Sequence, residues 1–267
     1  MAADETSPPG GGLWGGQKPP RATDGVTPPG VDLSRIALII PALNEEKNLA
    51  ELLPELTAMG LRRVLVCDNG STDNTRGVVE AAGATWVYEP TRGYGAACYA
   101  GMQRLGDAID VVVFLDADQS DDASRMPDLV APILAGECDL VIGARAAELR
   151  EAGSTTIPQQ FANWLMPLMI RLGWGYRFTD LGPFRAIRRT SLDAIDMQDR
   201  AFGWTIEMQI RAVELGLRIR EVPVAHRNRR HGKSKISGTI RGVVLAAYWI
   251  IGTCTALRWT KRRRMRS

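Results

Sequence analysis

Leu115-Asp116-Ala-Asp118-Gln-Ser120-Asp121-Asp122 places four carboxylates within seven residues, directly after an apolar stretch. Like charges this close repel one another, and a divalent cation is the simplest group that holds them together. Hard oxygen ligands on alternate residues suit Mg2+ or Mn2+, with phosphate oxygens completing the shell. Two other polar clusters also follow apolar stretches: Pro41-Ala-Leu-Asn44-Glu45-Glu46 and Asp68-Asn-Gly-Ser71-Thr-Asp73-Asn-Thr75. Ser71 or Asp73 reads as a helix cap. Asp68, a carboxylate at a strand end, is free to face a ligand.

The elements that position these clusters follow from periodicity. Residues 36–40 are a short apolar run ended by Pro41, which suits a buried parallel strand. Residues 47–59 carry Leu49, Leu52, Leu53 and Leu56 at helical spacing, and Gly60 stops the helix. Strands at 63–67, 85–88, 111–115 and 140–143 then alternate with helices at 73–82, 95–105 and 126–135. Pro54 and Pro132 fall inside two helical windows, which predicts a kink or a shortened helix. This rhythm gives an α/β fold with a mostly parallel sheet flanked by helices. After residue 144 the rhythm changes: an apolar helix at 158–172, a loop then a strand over 180–189, a helix at 205–215 and a strand at 218–224. In an open parallel sheet, ligands bind at the carboxyl ends of strands, where all three polar clusters fall.

Composition narrows the function. The chain has 267 residues, 45% apolar and 24% charged, the profile of a globular protein. Residues 1–33 are rich in Pro, Gly and small polar residues; they read as a disordered leader, not a secretory signal. The net charge of +3 and the acidic turns argue against nucleic-acid binding. The turn after residue 40 lacks the glycines of a dinucleotide fold. Cys67, Cys98, Cys138 and Cys254 are far apart, with no zinc spacing, and predict reduced thiols in the cytoplasm. His226 and His231 flank a basic cluster and suggest no hydrolase triad. No motif fixes an oligomeric state.

PALNEEKNL, DNGSTDNT, RGYGAACYAGM, FLDADQSDD, DLVIGAR, TDLGPFRAIRR and RRHGKSK occur in that order over roughly residues 36–238. Together they resemble family 2 glycosyltransferases of the GT-A fold, and within them the dolichol- or polyprenyl-phosphate sugar synthases. The resemblance implies a glycosyltransferase domain over residues 34–238, a nucleotide-diphosphate-sugar donor, a Mg2+ or Mn2+ ion and inversion at the anomeric carbon. By position, Pro41, Asn44, Glu45 and Asp68 would hold the nucleoside, with Arg92 and Gly93 close by. Asp116 would face the ribose or sugar, and Asp118 would bind the metal. Ser120 stands where the family usually has a metal-binding glutamine, Gln119 precedes it, and Asp121 and Asp122 are further candidates. Arg185 would grip phosphate through its planar fork. Arg230, Lys233, Ser234 and Lys235 match the family's RxGxSK loop, whose cations would grip the donor diphosphate or the acceptor phosphate. Trp204 and Glu207 also match family positions.

The implied acceptor is a polyprenyl phosphate, mostly dianionic at pH 7 if its second pKa is near ~6, which needs no strong general base. A hydroxyl acceptor needs one, and Asp180 is then the best candidate. A third reading, a non-catalytic nucleotide-sugar-binding protein, keeps only the donor site. Residues 242–257 carry no charge and as a helix would reach roughly 24 Å, short of the ~30 Å hydrocarbon layer. With five basic residues among the last seven, residues 239–267 predict a membrane-associated apolar helix and a tail suited to anionic headgroups, with a true span and a buried core helix as the alternatives. The expected location is the cytoplasmic face of the membrane, peripheral or partly inserted.

Overall fold

A computed structural model describes residues 33–151, 157–232, 252–255 and 257. A short 3-10 turn, Leu33–Arg35, leads into strand β1, Ile36–Ala42. Then follow α1 (Glu46–Ala58), β2 (Arg63–Asp68), α2 (Thr75–Ala81), β3 (Thr85–Tyr88), α3 (Tyr94–Met102) and β4 (Val111–Phe114). The second half holds α4 (Met126–Leu134), β5 (Leu140–Arg150), α5 (Ile157–Trp174), β6 (Arg185–Arg188), α6 (Arg189–Ile195), α7 (Trp204–Glu214) and β7 (Ile219–His226).

The described strands form one sheet in the order β3-β2-β1-β4-β6-β5-β7. Every pairing is parallel except those of β6, which runs antiparallel between β4 and β5. Both faces are covered, which explains why β1 and β4 are continuously apolar rather than alternating. Ile36, Leu38 and Ile40 point to one face, where Leu49, Leu52, Leu53 and Leu56 of α1 pack. Ala37 and Ile39 point to the other, with Ala97 and Cys98 of α3. α3 lies so close that a Cβ on Gly101 would strike Ile39 and Cys67.

Several boundaries differ from the sequence expectations. β1 runs through Pro41 to Ala42, whose Cα pairs with Asp68. α1 continues past Pro54 because its four buried leucines anchor both sides of the missing amide bond, and α4 likewise contains Pro132. α2 starts at Thr75, since Asp73 accepts hydrogen bonds from the Thr75 amide and hydroxyl; Ser71 instead accepts from the Asn44 amide. β5 extends well beyond Gly143 by pairing with β7, with a register shift before Arg150 meets His226. α6 has no counterpart among the expected elements.

The expected leader at 1–33 lies outside the described residues except for Leu33, as do the family-matched Lys233, Ser234 and Lys235 and most of the apolar stretch. Of residues 242–257, only 252–255 and 257 are described. They are helical, and Cys254 and Leu257 are buried in the same apolar layer as Trp204 and Met197. No helix among the described residues is long and apolar enough to cross a membrane.

Candidate active site

The carboxyl ends of β1, β2 and β4 open onto a cleft of about 310 Å3. Pro41 at the end of β1 and Leu43 and Glu45 after it line the cleft, with Asn69 after β2 and Asp116, Ala117 and Asp118 after β4. Arg92, Gly93 and Tyr94 at the start of α3, with Phe202 and Arg229, complete the wall. Of the residues expected from the sequence, Pro41, Glu45, Arg92, Gly93, Asp116 and Asp118 are brought together here.

Asp116 accepts a hydrogen bond from the Tyr94 hydroxyl at 3.0 Å. Burial, then the negative charges of Asp118 and Asp121, push its carboxyl up to about 7. Burial and the Asp116 charge also raise the Tyr94 hydroxyl well above its ordinary value, so it remains a donor. Asp118 accepts from the Ser120 amide at 2.9 Å, and its other oxygen lies 2.7 Å from a guanidinium nitrogen of Arg229. Arg229 also reaches Glu45 at 3.7 Å.

The remaining expected residues do other work. Asp68 is not free to face a ligand: one oxygen accepts from the Ser71 amide and the other from the Trp86 indole. Its neighbour Asn69 reaches the cleft instead and accepts from the Gly93 amide. Asn44, at φ 52°, accepts from the Thr72 amide and joins the two loops beneath the cleft. Arg185 does not offer its fork to phosphate. It is fully buried and donates to the carbonyls of Leu181, Gly182 and Thr205, and burial lowers its pKa to about 10. Its place follows from topology, because β6 sets it between Phe114 of β4 and Ile142 of β5.

Asp180 is buried and held by Arg145 through two side-chain contacts of 2.6 and 2.8 Å and the Arg145 amide. Burial alone would raise its pKa, but the Arg145 charge and hydrogen bonds outweigh this and hold it below the ordinary carboxylate range. It is therefore poorly suited to take a proton. Trp204 is buried, and Glu207 accepts from the Gln198 and Asp199 amides.

The segment after β7 lies across the acidic loops. Arg227 pairs with Asp122, Asn228 donates its amide to Glu151, and Arg229 binds Asp118. Arg230 and His231 both meet Glu51 on α1 at 2.8 Å, so Arg230 faces α1 rather than the cleft. Arg229, next to it, carries the cleft-facing charge that the sequence reading placed on Arg230. In a run of adjacent basic residues only the fold distinguishes them.

Whether these residues suit a divalent cation can be judged from Asp121. Its carboxylate is 1% exposed, and neither oxygen has a hydrogen-bond partner among the described residues. The nearest basic atom is His226 Nδ1, at 3.5 Å and likewise unpartnered. The two residues form an isolated antiparallel bridge. A buried carboxylate without a hydrogen bond is costly, and a cation relieves it. No three His, Cys, Asp or Glu side chains form a ready cage among the described residues. Mg2+ or Mn2+ bound here would take one or two carboxylates and complete its shell with substrate phosphates. Asp122 is not available, since it caps the turn at Ser124 and pairs with Arg227. Gln119 donates to the Asn48 carbonyl. Ser120 is buried beside Asp118, with its carbonyl on Arg227 and its amide on Asp118.

Known proteins resemble this chain over most of its length. The model for glycosyl transferase family 2 matches residues 37–196. An uncharacterized glycosyltransferase of Mycobacterium tuberculosis is 37% identical over 213 residues, 79% of this chain and 94% of its own. The undecaprenyl-phosphate mannosyltransferase of Micrococcus luteus is 32% identical over 239 residues, 84% and 96% of the two chains. In fold, the chain is similar to glucosyl-3-phosphoglycerate synthase of M. tuberculosis, solved with Mn2+, UDP-glucose and phosphoglyceric acid. The TM-score is 0.64 at 22% identity, over 85% of each chain.

Proposed function

This chain belongs to glycosyl transferase family 2, and we propose that it moves a hexose, with inversion, from a GDP- or UDP-linked donor to a polyprenyl phosphate. The observation that carries this reading is the convergence of Asp116, Asp118 and Arg229 on one cleft at the strand ends. The similarity to an undecaprenyl-phosphate mannosyltransferase supports the acceptor class.

Arg92 and Asn69 line the side of the cleft toward β2, where the nucleoside would lie. Asp116, oriented by Tyr94, would accept from a hydroxyl of the ribose or sugar. Asp118, with Asp121 as a second carboxylate, would hold Mg2+ or Mn2+ together with substrate phosphates. Such an ion, when bound, supplies positive charge to a leaving diphosphate. Arg229 would turn its guanidinium from Asp118 to the same phosphates. Both effects are stronger on the transition state than on the ground state, which is what lowers a barrier.

Asp180, the base a hydroxyl acceptor would need, is committed to Arg145. A lipid phosphate needs no such base, and this favours it over a glycan hydroxyl. The chain would work at the cytoplasmic face of the membrane, held by the apolar stretch and basic tail of residues 239–267. The decisive experiment offers radiolabelled GDP-mannose, UDP-glucose and UDP-galactose to a short polyprenyl phosphate, with and without Mn2+. Label should enter the lipid with one donor and only with metal. Transfer to hydroxyl acceptors alone would overturn the proposal.

A further inference from the structure

The described end of the C-terminal apolar stretch packs against the domain. Cys254 is 2% and Leu257 is 7% exposed, three residues apart on one helical face, while Gly252 and Thr255 are exposed. Between them the Thr253 hydroxyl donates to Asp199 at 2.9 Å. The other Asp199 oxygen accepts from the Ala201 amide at 2.7 Å, which sets the turn of residues 199–202.

That turn holds the start of α3. The carbonyls of Arg200 and Ala201 accept from the amides of Ala96 and Gly95 at 2.8 and 3.0 Å. The Arg200 guanidinium lies 3.4 Å from the centre of the Tyr99 ring. The layers touch because glycines leave no Cβ between them. A Cβ on Gly203 would collide with Asp199 and the Thr253 hydroxyl, and a Cβ on Gly93 or Gly95 would collide with the carbonyl of Arg200 or Asp199. Beyond the stack lie Phe202 and Arg92 in the cleft wall, and Tyr94, which holds Asp116.

We propose that Thr253 and Asp199 are positioning residues of the cleft, and that the last turn of the apolar stretch is a strut holding the start of α3 in place. What happens to that stretch at a membrane surface would then register at Tyr94 and Arg92. The link to donor binding rests on the functional reading above; the strut itself does not.

Amide exchange on the full chain tests it, comparing wild type with Thr253→Val and with Thr255→Val as a matched control. One lost hydrogen bond of about 1 kcal/mol corresponds to about fivefold. Thr253→Val should therefore speed exchange about fivefold in residues 93–98 and 199–203 and leave β2 unchanged. It should also weaken binding of UDP or GDP in the presence of Mn2+ by a similar factor. The proposal is overturned if residues 93–98 exchange as in wild type, if Thr255→Val has the same effect, or if β2 accelerates equally. A wrong donor reading looks different: neither protein binds nucleotide, yet the exchange difference persists.

Discussion

A guanidinium nitrogen of Arg229 lies 2.7 Å from Oδ2 of Asp118, and the same side chain approaches Glu45, so one cation joins the loops that follow β1 and β4. A metal ion bound as proposed would compete with Arg229 for the same carboxylate. Arg229→Gln should bind Mn2+ about tenfold more tightly without nucleotide, as about 1.4 kcal/mol of competition is removed, and should bind nucleoside diphosphate less tightly. Titration calorimetry with Mn2+ alone and then with nucleotide checks both.

Asp118→Asn should abolish the metal dependence of nucleotide binding and lower turnover by about 100-fold or more, the scale on which a single electrostatic group acts in catalysis. Single-turnover assays across a Mn2+ series check this.

Arg185 is a structural cation. Its replacement by methionine removes the donor that satisfies the carbonyls of Leu181, Gly182 and Thr205 and should cost about 2–4 kcal/mol in urea unfolding. Nucleotide affinity of the folded fraction should change less than about threefold. A phosphate-binding role would show the reverse.

Asp180→Asn leaves Arg145 buried without its charge partner and should destabilise the fold by about 3–5 kcal/mol. A general base would instead lose turnover with its stability intact, so unfolding and kinetics measured on the same variant separate the two roles.

Stability should also depend on acid at the end of the sheet away from the cleft. Hydrogen bonds from Arg218, then from Arg188, outweigh burial and hold Asp139 at about 2, below its ordinary 3.8. A lowered carboxylate contributes stability above its unfolded pKa and loses it as pH falls through the folded one. The loss should therefore fall between about pH 4 and pH 2 and amount to about 1–2 kcal/mol. Asp139→Asn should flatten the urea midpoint over that window.

The parallel alternation and the polar turns at strand ends were legible because both rest on local pattern. Ile36 to Ile40 had to be covered on both faces, and Asp116 and Asp118 had to follow β4. What escaped depends on distant neighbours. Arg185 resembles a ligand-binding residue until β6 is inserted between β4 and β5. Arg229 and Arg230 are equivalent in sequence, and only the path of the segment after β7 sends one to Asp118 and the other to Glu51. Asp121 and His226 lie 105 positions apart. Periodicity does not report such a meeting. Cys254 and Leu257 belong to an uncharged run whose composition alone suits lipid as well as protein.

The place of β6 also bears on how the chain is made. β5 is translated before β6 and β7, yet among the described residues its strand partners are those two alone. A nascent chain emerging from the ribosome can join β1 through β4 at once, while the segment from Leu140 to Arg150 waits unpaired until residue 188 has cleared the tunnel. During that interval the bare edges of β5 and of β4, which also awaits β6, are open to aggregation, and there a chaperone would have work to do.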